Sequence, residues 1–152
     1  MSILREQRVI RLNAVIEAAI EAADHYEEEA DRVGEERIAR LFADLAHRRR
    51  EMSETLSAYI RKLGDLPFEP DLEVELVHEV ASKIRTATDD PRRVLLDERI
   101  EAEEDLKMRI NAAQKTDLPV DMRRVLKEYE EDTEAAGAQL SELLAQYESA
   151  ER

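Results

Sequence analysis

The sequence predicts an all-α protein, a four-helix bundle that forms a single domain over residues 1–152. Three observations predict it. Only three Gly and four Pro interrupt 152 residues, so the chain has few places to turn and its elements must be few and long. Apolar residues recur at steps of three and four over long stretches, the period of one helix face. Hydrophobic residues make up 43% and charged ones 39%, too apolar for a disordered acidic tail and too charged for a membrane protein.

The first helix runs from about Leu4 to Val33, with Leu12, Ile16, Ala19, Ala23, Tyr26, Ala30 and Val33 on its apolar face. Gly34 follows where a helix end favours a left-handed residue, and Glu35 and Glu36 suit the positive end of the next helix. The second helix extends from about Glu35 to Leu63, with Ile38, Leu41, Phe42, Leu45, Met52, Leu56, Tyr59 and Ile60 inward and Gly64 at its end. One position, Arg49, breaks that stripe.

Residues 64–90 form a crossover segment. It opens with Pro67 and Pro70 around Phe68, a non-helical stretch expected to pin itself to the core through the phenyl ring. A shorter helix carrying Leu72, Leu76, Val80 and Ile84 follows. Thr88-Asp89-Asp90-Pro91 ends it, with Asp90 as the next N-cap and Pro91 in the first helical position. The third long helix reaches about Lys115 with Leu95, Ala102, Leu106, Ile110 and Ala113 on its face. Thr116-Asp117-Leu118-Pro119 turns the chain into the last helix, whose face is Met122, Val125, Leu126, Tyr129, Ala136, Leu140, Leu143 and Tyr147. Helices this long span roughly 40 Å. Each hairpin needs a second to bury its stripe, and the spacing Ile38, Leu41, Phe42, Leu45 is repeated by Met122, Val125, Leu126, Tyr129.

Charge excludes several partners. With 23 basic and 37 acidic side chains the formal net charge is −14, which argues against nucleic acid or an anionic membrane, surfaces recognised by clustered Lys and Arg. No stretch approaches the ~20 apolar residues of a membrane span. Arg5, Glu6, Arg8 and Arg11 interrupt any signal-peptide core, so a cytoplasmic location is the expectation. Without Cys there is neither a disulfide nor a thiolate-bound metal.

The run Tyr26-x3-Ala30, followed by Ile38-Ala39-Arg40-Leu41-Phe42-Ala43-Asp44-Leu45-Ala46, resembles the first hairpin of ferritin-like and rubrerythrin-like proteins. The layout, with its Pro-containing crossover, short helix, Asp90-Pro91 and Leu118-Pro119, is similar to a bacterial ferritin-like family of unassigned function over roughly residues 10–145. Two antiparallel hairpins joined by one long crossover is the ferritin-like connectivity. The resemblance implies a di-iron or di-manganese site, with a Glu from each of two helices and Glu-x-x-His from each of the others. Matched to that pattern, the second helix offers Arg49-x-x-Met52, the first has Ala19 near its ligand position, and the last has Thr133-Glu134-Ala135-Ala136. These positions hold no ligand set. On the third helix, Glu98 is the acid read as inward.

A guanidinium in a helix core must be paired. The expectation is that Arg49 fills the place of the lost metal centre and pairs with Glu98; the alternative is that it snorkels to the surface beside Arg48 and Arg50. No catalytic, cofactor-binding or metal-binding residue is assigned. The reading is a non-enzymatic binding or assembly module, able to form a homo-oligomer through a helix face. Its rival is a metal oxidase using carboxylates such as Glu21, Asp24, Glu51, Glu104 and Glu131.

Other groups read as structural. His25, His47 and His78 lie on three different helices with no i, i+4 pair, so solvated or partly satisfied imidazoles are expected. The acidic runs Glu27 to Glu29, Glu101 to Asp105 and Glu128 to Asp132 read as outward faces, leaving one inward Glu at most. Ser53, Ser57, Ser82 and Ser141 lack a His and acid pair, and the four Tyr read as core packing.

Overall fold

The computed structural model describes residues 3–70 and 90–150, and among these there are four helices and no strand. They are α1 (Ile3–Arg32), α2 (Glu36–Lys62), α3 (Pro91–Gln114) and α4 (Val120–Ala150). The short helix expected around Leu72 to Ile84, and with it His78 and Ser82, lies outside the described residues.

The turn chemistry follows the sequence. Gly34 and Gly64 end α1 and α2 with φ of 66° and 80°, values that exclude most side chains. Glu35 caps α2 by accepting the Ile38 N–H at 2.8 Å, and that bond holds its carboxyl below the usual range. Asp90 caps α3 by accepting the Arg92 N–H at 3.0 Å, ahead of Pro91 in the first turn. After α2 the chain folds back along α1: the Phe68 N–H donates to Asn13 Oδ1 at 2.7 Å, and the phenyl ring packs on the core.

Helix directions can be read from the side-chain pairs. Only three residues separate α1 from α2 and Arg50, midway along α2, reaches back to Asp24 and Glu27, so α2 runs antiparallel to α1. Arg109 pairs with Glu17, Glu103 with Tyr26 and Arg99 with Glu29, so α3 also runs antiparallel to α1. Hence α2 and α3 point the same way, and the connection between them joins opposite ends of the bundle. Helix α4 closes the ring against α3 and, more loosely, against α2.

Apolar packing falls into two clusters. One gathers Leu12, Ile16, Met52, Leu56, Leu106, Ile110 and Leu126; the other gathers Tyr26, Phe42, Leu45, Leu96, Ala136 and Leu140. In α2 the boundary between them holds Arg49, in α3 it holds Arg99 and Glu103, and in α4 it holds Asp132 and Thr133. A polar layer therefore crosses the bundle between two greasy halves.

Candidate functional site

The layer is built from charged residues occupying positions of the apolar repeat. On α2 the buried series is Ile38, Phe42, Leu45, Arg49, Met52, Leu56 and Ile60, in steps of three and four. On α3 it is Leu96, Arg99, Glu103, Leu106, Ile110 and Ala113. Arg49 is 0% exposed and Glu103 2%. Both have been folded inward by their neighbours on the same stripe.

Their geometry is side-on and close. Arg49 Nη2 donates to Glu103 Oε1 at 2.5 Å and Nε donates to Glu103 Oε2 at 3.2 Å. The Tyr26 hydroxyl donates to the same Oε2 at 3.0 Å. The remaining arm of Arg49, Nη1, donates to Asp132 Oδ2 at 2.5 Å, while Arg48 takes Asp132 Oδ1 at 2.6 Å. All four helices thus contribute to one continuous chain of bonds, α2 through both Arg48 and Arg49. Burial works to lower the Arg49 pKa, but Glu103 and Asp132 more than offset it and the guanidinium is held above its ordinary value. Burial, reinforced by the Glu103 charge, raises the Tyr26 phenol well above the ordinary range. The geometry is that of an ion pair with a neutral phenol donating into it.

A second buried pair lies alongside. Arg99 Nε stands 3.2 Å from Glu29 Oε2, with the guanidinium 5.8 Å from the centre of the Tyr26 ring. The N–H of Arg99 does not point along the line to Glu29, so the two attract by charge without a hydrogen bond. Burial consequently dominates, and Glu29 is raised to about 7 despite Arg99, with Glu98 and Glu28 pushing the same way. His25 sits 3.8 Å from its other oxygen.

This raised value sets a pH dependence. Between about pH 4.5 and about pH 7 the folded protein keeps a proton on Glu29 that the unfolded chain, near the ordinary value of 4.5, has released. The folded state binds more protons there, so this group's contribution to stability falls as pH rises through that window. Urea midpoints of the native protein and of Glu29→Gln, compared at pH 5 and pH 7.5, should show the native protein losing more on the alkaline side. Parallel profiles would contradict the assignment.

Several sequence-based expectations are corrected by this geometry. Arg49 is buried and paired, but its partners are Glu103 and Asp132 rather than Glu98, which is half-buried on α3. The three acidic runs are not wholly outward, because each turns at least one member in, among them Glu29, Glu103 and Asp132. More than one inward acid is therefore present. Ala102, read as part of the α3 stripe, is only half-buried, and Glu103 takes the inward place. The signal for it was available, since Leu96, Arg99, Glu103, Leu106, Ile110 and Ala113 keep an unbroken three-four rhythm once charged residues are admitted to the stripe. Of the tyrosines, Tyr26 is fully buried, and Tyr59, Tyr129 and Tyr147 are half-buried.

The carboxylates of the rival reading are not brought together. Glu51, Glu104 and Glu131 are exposed, and Asp24 is held by Arg50. Among the described residues no group of three or more His, Asp or Glu side chains could hold a metal ion. Where α2 and α4 separate, a groove of about 630 Å³ opens, lined in part by Arg48, Arg49, Met52, Tyr129 and Asp132. No helix is long and apolar enough to cross a membrane among these residues.

A family model with the description Domain of unknown function (DUF2383) matches residues 7–116. The chain belongs to this family. Comparison with curated proteins and with solved structures returned no significant match. The DUF2383 match takes in α1, α2 and α3, and so includes Tyr26, Glu29, Arg49, Arg99 and Glu103 of the polar layer; Asp132 on α4 lies beyond it.

Proposed function

We propose that this chain is a ferritin-like bundle in which paired side chains stand where a di-metal centre would be, and that it works as a non-enzymatic binding or assembly module. The parallel course of α2 and α3, which requires a crossover between them, supports the ferritin-like connectivity. The observation that carries the functional reading is Arg49, fully buried with its guanidinium against Glu103 and Asp132. A di-metal site needs several free carboxylates converging around the ions. Here the Glu103 oxygens accept three bonds from Arg49 and Tyr26, and the nearest centre of charge is already a cation. The residues present do not fit two metal ions.

Purification in the presence of iron, followed by elemental analysis and an oxygen-dependent iron-oxidation assay, tests the reading. We expect substoichiometric metal and no oxidation above the rate of buffer. About two irons per chain, the complement of a di-iron bundle, would overturn it in favour of an oxidase.

A further inference from the structure

Four large apolar side chains stand exposed among the described residues: Ile10, Leu66, Met108 and Val120. Leu66 and Val120 flank the turns at one end of the bundle, where exposure is unremarkable. Met108 is different. It projects from the outer face of α3, in its C-terminal half, with 69% of its surface exposed, on a helix whose opposite face is core.

At helical spacing along that outer face stand Asp97, Glu101, Glu104, Met108, Asn111 and Lys115. All are exposed except Asn111, which is half-buried. The stripe runs from acid, through methionine, to base. Arg11 on α1 adds to its basic end, because it lines with Met108 and Lys115 one groove of about 610 Å³ whose only acid is Asp117. Neither Arg11 nor Lys115 makes an ion pair with another described residue.

Such a stripe is complementary to itself only when turned end for end. Two copies of α3 laid antiparallel about a two-fold axis through Met108 place each residue opposite the one equally far from Met108 on the other side. Met108 then packs on its own copy, and Lys115 of each chain meets Glu101 of the other. A parallel arrangement would oppose acid to acid instead. We propose that the outer face of α3 is the interface of a two-fold homodimer centred on Met108. The contact closes on itself, so it stops at two chains.

Its strength follows from its size. About a two-fold at Met108 the paired stretch runs from residue 101 to residue 115, about 21 Å at 1.5 Å per residue, and one helix face of that length buries less than the ~800 Å² per partner of a standard interface. The dimer is therefore weak and reversible. The net charge of −14 on each chain opposes it at low ionic strength. At ~0.15 M salt, charges more than about 8 Å apart are screened, which leaves the facing Lys and Glu as the dominant electrostatic contact.

Sedimentation equilibrium of the native protein in ~0.15 M salt should give a concentration-dependent rise from the 17.5 kDa chain mass toward twice that value. Met108→Asp, which sets two like charges on the axis, should weaken association at least about tenfold, the equivalent of ~1.4 kcal/mol. Lys115→Glu should weaken it too, and the swap Lys115→Glu with Glu101→Lys should restore it. Because the chain has no Cys, Met108→Cys supplies a single thiol, expected to cross-link two chains under mild oxidation while Ile10→Cys does not. All these positions are exposed, and circular dichroism verifies that each variant folds. A monomer throughout, a dimer indifferent to Met108→Asp, or a swap that fails to restore association would each overturn the proposal. It deepens the assembly reading above; a monomer that takes up no iron would remove the dimer and leave the displaced metal centre standing.

Discussion

Glu103→Ala is expected to destabilise the protein by about 3–5 kcal/mol, the range seen when one member of a buried ion pair is removed. The size comes from what is left behind. Arg49 is 0% exposed, and without Glu103 two of its three hydrogen-bonding arms lose their acceptor, with Asp132 satisfying only Nη1. The Tyr26 hydroxyl loses its acceptor in the same step. Urea unfolding followed by circular dichroism measures the change from the midpoint at constant slope. A loss under about 1 kcal/mol, the value of an exposed pair, would mean that Arg49 can swing out to water, as its surface-directed alternative requires.

Removing the whole group should have the opposite sign. The combination Tyr26→Phe, Arg49→Met and Glu103→Leu takes away donor, cation and anion together, so no polar atom of the three is stranded. Replacement of a buried ion pair by apolar side chains of similar volume is often neutral or stabilising by about 1–4 kcal/mol. We expect the triple variant to be at least as stable as the native protein, and so far more stable than Glu103→Ala alone. Asp132 keeps Arg48 as its partner at a quarter exposure and remains tolerable there. Strong destabilisation of the triple variant would show that the pair contributes net stability, contrary to the desolvation argument.

The long helices were legible because their signals are local: Gly34, Gly64, Asp90 and Pro91 mark ends by backbone chemistry that needs no tertiary contact. Arg49 was legible as an interruption of an apolar stripe. Its partner was misread because a stripe drawn through apolar residues alone, Leu95, Ala102 and Leu106, is rotated toward Glu98, and only admitting charged residues to the repeat turns it to Arg99 and Glu103. The rotation of α3 about its axis, set by Leu96, Leu106 and Ile110 packing into the core, decides for Glu103. Arg99 and Glu29 escaped for a related reason: each sits in or beside a dense run of charge, where an inward member looks like its outward neighbours.

The polar layer also acts as an index mark for assembly of the helices. Apolar stripes of Leu, Ile and Ala tolerate sliding by one turn, because one hydrocarbon surface serves nearly as well as the next. A slide of α3 along α2 by about 5.4 Å, one helical turn, brings Arg99 where Glu103 had been and sets two buried guanidinium groups face to face. A slide the other way presents Lys107 and Leu106 to Arg49. Either misplacement leaves charge uncompensated in the interior, at a cost of several kcal/mol. The pair that adds little to the depth of the native well therefore raises the wells on either side of it.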